Sequence, residues 1–435
     1  MFRSSKLSLR RHERFTLNRA CAGEFGRGIY AALALDFTLT IAMTHYRISD
    51  IRYIWLLSAA PFIGHLTAVF ATSLTARYRK KALIFLFEVL SRLAFITAAL
   101  VTTGPLFVVF MALGMGVNAL SVPMVSGMYG SNFTAPVRGW AMGRLQAISV
   151  GTTSAVATVT GILLGYGTEY FVFLLSLLSL LSLGCSWYNL GWPEPHRRVD
   201  ESVSGHSIFR DFFQVLLTDR AFVYLEVVWF IIGSATLSLQ PMRVLHLEQM
   251  GYDARAILVA TTATTMAAQL LAVGMWGRIL YKINIALYRA LISLSFVVGM
   301  GLFFYARHYW SICLGSVIWG IALAGGVLSW RLIATFFTVP SRVPVYMSVH
   351  TFLFGLRGLI GPFFALRIQE TSGVYPVANW AIAAQIVSAF LLLPLIPVMR
   401  ARQTETEALV AATRPERPTV PHEGDPLGLS ETPEG

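Results

Sequence analysis

The sequence predicts an all-α integral membrane protein, with twelve transmembrane helices in two pseudo-symmetric six-helix bundles. Three observations lead there. Of 435 residues, 55% are hydrophobic and 13% charged, against about 25% charged in a soluble domain; the mean hydropathy is +0.63. The apolar residues gather into runs long enough to span, since a helix needs roughly 20 of them to cross about 30 Å of hydrocarbon. The two halves also repeat, because a shift of about 205 positions lays Arg77 on Lys282, and a nearly equal one lays Arg138 on Arg342.

Taken in order, residues 1–19 form a polar, basic N-terminal segment. The first bundle, 20–190, has spans at 20–43, 53–74, 82–103, 106–128, 139–165 and 170–190. Span 1 follows the basic segment without a clear small-residue cleavage site, so it reads as a retained helix and not a signal peptide. Residues 191–221 are a linker of mixed charge whose end, SIFRDFFQVLL, alternates aromatic and charged residues as a short interfacial helix does. The second bundle, 222–398, has spans at 222–240, 254–276, 285–305, 310–331, 345–367 and 377–398. The tail, 399–435, is rich in Thr, Glu and Pro and has too little apolar content to fold. All spans must be helical, because a backbone in lipid has to satisfy its own hydrogen bonds.

The net charge of +12 does not indicate nucleic-acid binding. Most basic residues fall in short loops between apolar runs, where they report topology. Arg3 to Arg19, Arg77, Arg79, Lys80, Lys81, Arg138, Arg197, Arg198, Arg278, Lys282 and Arg289 fall on one side. The other side has only Arg47, Arg52, Arg243, Arg255, Arg307 and Arg367. Both termini and the linker are therefore expected in the cytoplasm, in a multi-pass protein of a bacterial inner (plasma) membrane. Cys21, Cys185 and Cys313 are far apart and form no CxxC pair, so neither a metal site nor a disulfide framework is suggested. No Walker loop, HExxH or nucleophile elbow occurs, which argues against an enzyme and against ATP-driven chemistry. No cofactor is expected.

Six plus six spans, a long linker, and a basic loop after spans 2 and 8 resemble the major facilitator superfamily over roughly residues 20–399. The family's pattern in the loop between spans 2 and 3 is Gly-x-x-x-Asp-Arg-x-Gly-Arg-Arg/Lys. Here Thr72 and Ala76 stand at the first glycine and the aspartate, Arg77 matches, and Arg79 replaces the second glycine. In the second copy Gly277 and Lys282 fit, while Tyr281 and Asn284 replace the aspartate and glycine. The resemblance implies a secondary transporter moving a small solute by alternating access. With Ala76 and Tyr281 in place of the aspartates, the family's loop latch is not assigned to this chain. The competing reading is a transporter-like assembly factor, receptor or lipid handler without a solute cycle. Partners implied are a small, anionic solute and the lipid bilayer, with the protein a monomer.

A charge in mid-membrane is costly, so each is a functional candidate. On span 11, His350, Phe354, Arg357 and Gly361 form one stripe. The resemblance makes span 11 a cavity-lining helix, so Arg357 is a candidate contact for an anionic solute; packing against carbonyls or a carboxylate is the bland reading. On span 7, Glu226, Trp229, Gly233 and Gln240 share a face, and Glu226 is either a proton site or half of an inter-helix ion pair. His350, Trp229, Gln146 on span 5 and Gln269 on span 8 complete the candidate solute contacts, with helix joining as the alternative for the polar strip around Gln269. Proton coupling is assigned to Glu226, His350 or Asp36. Asp36 lies about half a turn around span 1 from Arg27. Structural or gate pairs are expected from Glu24 with Arg27, three apart, and Glu88 with Arg92, four apart. Arg144, Arg77 and Lys80 join them as candidates for a layer near the cytoplasmic ends, where Glu24, Glu88, Glu226 and His350 also fall.

Overall fold

A backbone in hydrocarbon must bond within its own segment, and the chain meets that demand with helices. The computed structural model describes residues 10–74, 78–133, 135–193, 205–280, 282–333, 337–338 and 343–401. Span 1 is α1 (Arg11–Ala32), a π segment (Leu33–Phe37) and α2 (Thr38–Thr44). Spans 2 and 3 are α3 (Ile51–Leu74) and α4 (Lys80–Leu100). Span 4 is divided at Leu120 and Ser121 into α5 (Gly104–Ala119) and α6 (Val122–Asn132). Spans 5 and 6 are α7 (Ala135–Leu164) and α8 (Phe171–Asn189), and the linker contributes α9 (Gly205–Thr218).

In the second half, span 7 is α10 (Arg220–Gln249). Span 8 is α11 (Ala254–Leu258), a second π segment (Val259–Ala263) and α12 (Thr264–Leu280). Spans 9 to 12 are α13 (Ile285–Tyr305), α14 (Tyr309–Leu332), α15 (Val343–Ser372) and α16 (Val374–Leu391). Among the described residues, nine helices are long and apolar enough to cross a membrane, with span 8 counted through its π segment. The other three of the twelve expected spans are span 1, divided by its π segment; span 4, divided at Leu120; and the 24-residue α3.

Several boundaries differ from the sequence expectation. The first helix begins at Arg11, nine residues before the apolar run, and buries Glu13, Thr16 and Leu17. Glu13 accepts the Arg10 backbone N–H at 3.0 Å, so the acidic side chain caps the helix it opens. Span 7 does not stop at Gln240. It runs through Pro241 to Gln249, which carries Arg243 and His246 into the interior. The linker's aromatic stretch does form a helix, and Phe212 of α9 packs edge-on against Phe352 of α15 at 5.5 Å.

The two halves meet along two helix pairs, α3 with α15 and α7 with the span-8 segments. At the first, the Trp55 indole donates to the Leu359 carbonyl at 3.1 Å, and Gly358 lies so close to Phe62 that a Cβ would collide with the ring. At the second, the Ser154 hydroxyl donates to the Ala263 carbonyl at 3.0 Å.

That carbonyl belongs to the π segment of span 8, and the π segment of span 1 packs on the same region. A π turn shifts the hydrogen-bond ladder by one residue and frees carbonyls. The Thr38 hydroxyl donates to Leu33 O at 2.6 Å, and the Thr264 hydroxyl to Val259 O at 2.7 Å. Each thus serves the first carbonyl of its π segment.

Candidate functional site

Two helices of the second half each supply one polar face. On α10, Glu226, Trp229 and Gly233 follow at helical spacing, and on α15 so do His350, Phe354 and Arg357. The faces meet, burying Glu226, His350 and Arg357 to 2%, 0% and 2% exposure. His350 Nδ1 lies 2.8 Å from Glu226 Oε1, a buried pair held between two indoles. The imidazole sits 4.9 Å from the Trp229 ring and 5.6 Å from that of Trp330 on α14. The contact with Glu226 at Nδ1 orients the imidazole and leaves Nε2 as its free edge. The far nitrogen, Nε2, and the second carboxylate oxygen, Glu226 Oε2, have no hydrogen-bond partner among the described residues.

Arg357 reaches from α15 to α10, where its Nη1 donates to the Trp229 carbonyl at 3.0 Å. Its guanidinium also stands 5.1 Å from the Phe354 ring. Gly233 makes this possible: a Cβ there would stand 2.5 Å from Arg357 Cδ and Nε.

A second arginine enters from α13. Arg289 is 6% exposed, and its guanidinium stands 5.2 Å from the Trp229 ring. A Cβ on Gly326 of α14 would lie 3.2 Å from its Nη1. The sequence counts Arg289 among the cytoplasmic-side charges, near the start of span 9. The signal that it belongs inside is its position in the second turn of span 9, on the same face as Ser293 and Phe296, which are also buried.

The remaining candidates divide. Gln269 on α12 is buried but makes no hydrogen bond to this cluster among the described residues; Gln146 on α7 is half-buried. Neither is brought against Arg357. Asp36 is elsewhere too. It sits in the first π segment, 6% exposed, and accepts the Thr262 hydroxyl of the second π segment at 2.6 Å. Beside this contact Arg243 donates from Nη2 to the Thr261 carbonyl at 2.6 Å and the Thr265 hydroxyl at 2.8 Å. Arg243 was expected in a loop; it instead serves backbone that the π turn leaves open.

In the first half, the expected pair of Glu24 and Arg27 is present at 3.2 Å. The expected partnership of Glu88 and Arg92 is not. Glu88 binds Arg27 at 3.1 Å, and Tyr129 of α6 closes the group, accepting from Arg27 at 2.8 Å and donating to Glu24 at 2.6 Å. Arg92 points away to Ser182 at 3.0 Å, to Asn118, and to the Tyr30 ring face at 4.5 Å. Spacing of four residues put both on one side of α4, but neighbouring helices offered each a better partner. Arg144 is exposed, with its guanidinium 5.8 Å from the Trp140 ring. Lys80 opens α4, and Arg77 lies outside the described residues. Among the described residues, every buried salt bridge closes within one half, and none joins the halves as a gate layer would.

The family model of the Major Facilitator Superfamily matches residues 25–362. The chain belongs to this superfamily. Its members' fold is the one described above: a D-xylose–proton symporter superposes with a TM-score of 0.70 at 15% identity, covering 89% of this chain and 99% of that one. A point mutant of the nucleoside transporter NupG gives 0.69 at 10% identity, with 89% and 99% covered. A human organic anion transporter, MFSD10 (TETRAN), gives 0.63 at 14%, with 87% and 99% covered. No curated protein matches the sequence. At such identities the likeness speaks for the fold alone. The superfamily membership makes this a multi-pass membrane protein of a transporter family, with the Glu226–His350–Arg357 cluster inside its second half.

Proposed function

We propose that the protein is a proton-coupled secondary transporter that moves a small solute by alternating access, with its solute and proton sites in the α10–α15 cluster. The observation that carries this reading is the buried Glu226–His350 contact, 2.8 Å long, beside Arg357. A carboxylate in contact with an imidazole out of water is a pair able to take up and release a proton, and the unpartnered Nε2 and Oε2 are the atoms through which it would pass. Repeat halves that rock about a central site are the general mechanism of such carriers. The glycine-permitted contact of α3 with α15 and the contact of α7 with α12 are the surfaces over which rocking would occur. The orientation follows the basic loops, with both termini in the cytoplasm of a cell with an inner (plasma) membrane. Asp36, bound to Thr262 across the halves, acts in this reading at the interface and not at the proton pair.

A solute in transit would supply acceptors for the donors around Trp229, as a structural scaffold would not. The unpartnered nitrogens around Trp229 favour the carrier.

The test is counterflow and gradient-driven uptake in proteoliposomes with a metabolite panel. Wild type should accumulate at least one solute under an imposed proton gradient, and collapse of that gradient should abolish accumulation while leaving counterflow. Glu226→Gln should keep counterflow and lose the gradient dependence. Equal gradient dependence in wild type and Glu226→Gln would remove the proton role from this pair.

A further inference from the structure

We propose that the cluster around Trp229 is a binding site for an organic monocarboxylate, with Arg289 and Trp330 as recognition groups beside Arg357. This rests on the reading of the cluster as the solute site and names the class of solute. Four buried nitrogens that carry N–H groups have no acceptor among the described residues: Nε and Nη1 of Arg289, Nε of Arg357, and Nε1 of Trp330. They are tied to one place. Arg289 stands over the Trp229 ring, Arg357 holds the Trp229 carbonyl, and Trp330 and Trp229 flank the same imidazole. Buried donors almost always find acceptors. Here these four nitrogens lack them, although Arg357 Nη1 has the Trp229 carbonyl, and among the described residues Glu226 is the one carboxylate in the cluster. Their acceptor therefore lies outside the described residues, and a bound solute is the acceptor proposed here.

Charge selects its type. With the His350 imidazole neutral, two guanidinium charges face the single carboxylate charge of Glu226, so one positive charge is left uncompensated in the buried cluster. A buried unpaired charge is strongly unfavourable, and a single negative charge cancels it. A carboxylate also fits the forked donors of a guanidinium in the bidentate manner. A phosphate dianion would overshoot by one charge. The aromatic rings nearest these donors are Trp229, Trp330 and Phe354, which suits a body that is planar or apolar behind the carboxylate. Gly233 and Gly326 are the positions whose missing side chains make room for the two arginines.

The experiment uses the full chain purified in nanodiscs, with the quenching of tryptophan fluorescence as the readout, since two indoles line the site. The probes are carboxylate–amide pairs: pyruvate and pyruvamide, benzoate and benzamide, indole-3-acetate and indole-3-acetamide, with phenyl phosphate as the dianion. At least one carboxylate should bind, with its amide at least about tenfold weaker, because the amide loses the charge that strengthens each hydrogen bond. Arg289→Gln should weaken that carboxylate by about 10–100-fold and its amide little. Trp330→Phe keeps the ring and removes one donor, and should weaken the carboxylate about tenfold. Amides binding as well as their acids, phenyl phosphate binding more tightly than any acid, or no carboxylate binding at all would each overturn the proposal. So would Arg289→Gln and Trp330→Phe both retaining full carboxylate affinity. Flux separates this from the transport reading. Wild type that carries a neutral solute but binds no acid keeps the carrier and loses the class, whereas acid binding without flux keeps the class and loses the carrier.

Discussion

Arg27 is set between Glu24 and Glu88, at 3.2 and 3.1 Å, with the Tyr129 hydroxyl bridging to Glu24. Removing it leaves two half-buried to buried carboxylates facing each other. Arg27→Ala is therefore expected to destabilise the protein by about 3–5 kcal/mol, the usual result of orphaning a buried ion partner. Thermal unfolding in detergent, followed by exposure of buried thiols such as Cys313, would register it. A double-mutant cycle extends the point. Coupling of Glu88 to Arg27 should exceed its coupling to Arg92, within the range of about 0.5–3 kcal/mol seen for contacting groups. Surface pairs differ in kind. Arg52 holds the exposed Asp50 carboxyl below the usual carboxylate range through direct hydrogen bonds. Whatever that pair adds is present above the ordinary carboxylate titration and is lost as pH falls through the depressed value. In water-exposed positions it adds little.

At the scale of helices, two π segments decide where the halves touch on the face opposite the linker. Each displaces one residue from the α register and turns a polar group toward the other: Asp36 from one, Thr262 from the other. Thr262→Val keeps the shape and removes the donor to a carboxylate that is 6% exposed. The expected cost is about 1.5–3 kcal/mol, read as a lowered melting temperature, with Asp36→Asn in the same background recovering most of it. No recovery would mean that Thr262 acts through packing alone. The crossing of α3 and α15 depends on a missing side chain instead. Gly358→Leu must overpack against Phe62, at about 1–3 kcal/mol.

For the whole molecule, the inter-half contacts include hydroxyl and indole bonds to backbone carbonyls, glycine-ring packing and one buried carboxylate, Asp36 on the Thr262 hydroxyl, with no buried salt bridge crossing among the described residues. Such contacts break at modest cost, which suits halves that move past each other. The Ser154 hydroxyl on the Ala263 carbonyl marks a point where movement can be stopped. Ser154→Cys with Ala263→Cys, bridged by a short, cleavable thiol cross-linker, should arrest solute flux and regain it on cleavage. Flux that persists in the bridged protein would show that α7 and the span-8 segments need not separate. The ion pairs, by contrast, lie inside each half, where they stiffen the moving body.

The sequence by itself determined the span pattern, the helical class, the duplication and the superfamily, because hydropathy and loop charge are written along one dimension and a lipid environment admits few backbone solutions. It also determined faces. The stripe of His350, Phe354 and Arg357 and that of Glu226, Trp229 and Gly233 were legible from a 3.6-residue period. Only the tertiary structure decided which face meets which. A period fixes the direction of a side chain from its own axis and says nothing about the helix opposite. Glu88 was thus matched to Arg92 on its own helix, while the fold gave it Arg27 from another. Asp36 was separated from the proton pair by the choice of neighbours, and the π turns that set its direction are shifts of a single residue with no clear mark in composition. Arg289 shows the same limit from the other side. Counted with the basic loops, it is a topological charge; folded, its long side chain turns inward from the second turn of α13 to the Trp229 ring, because Gly326 leaves the space.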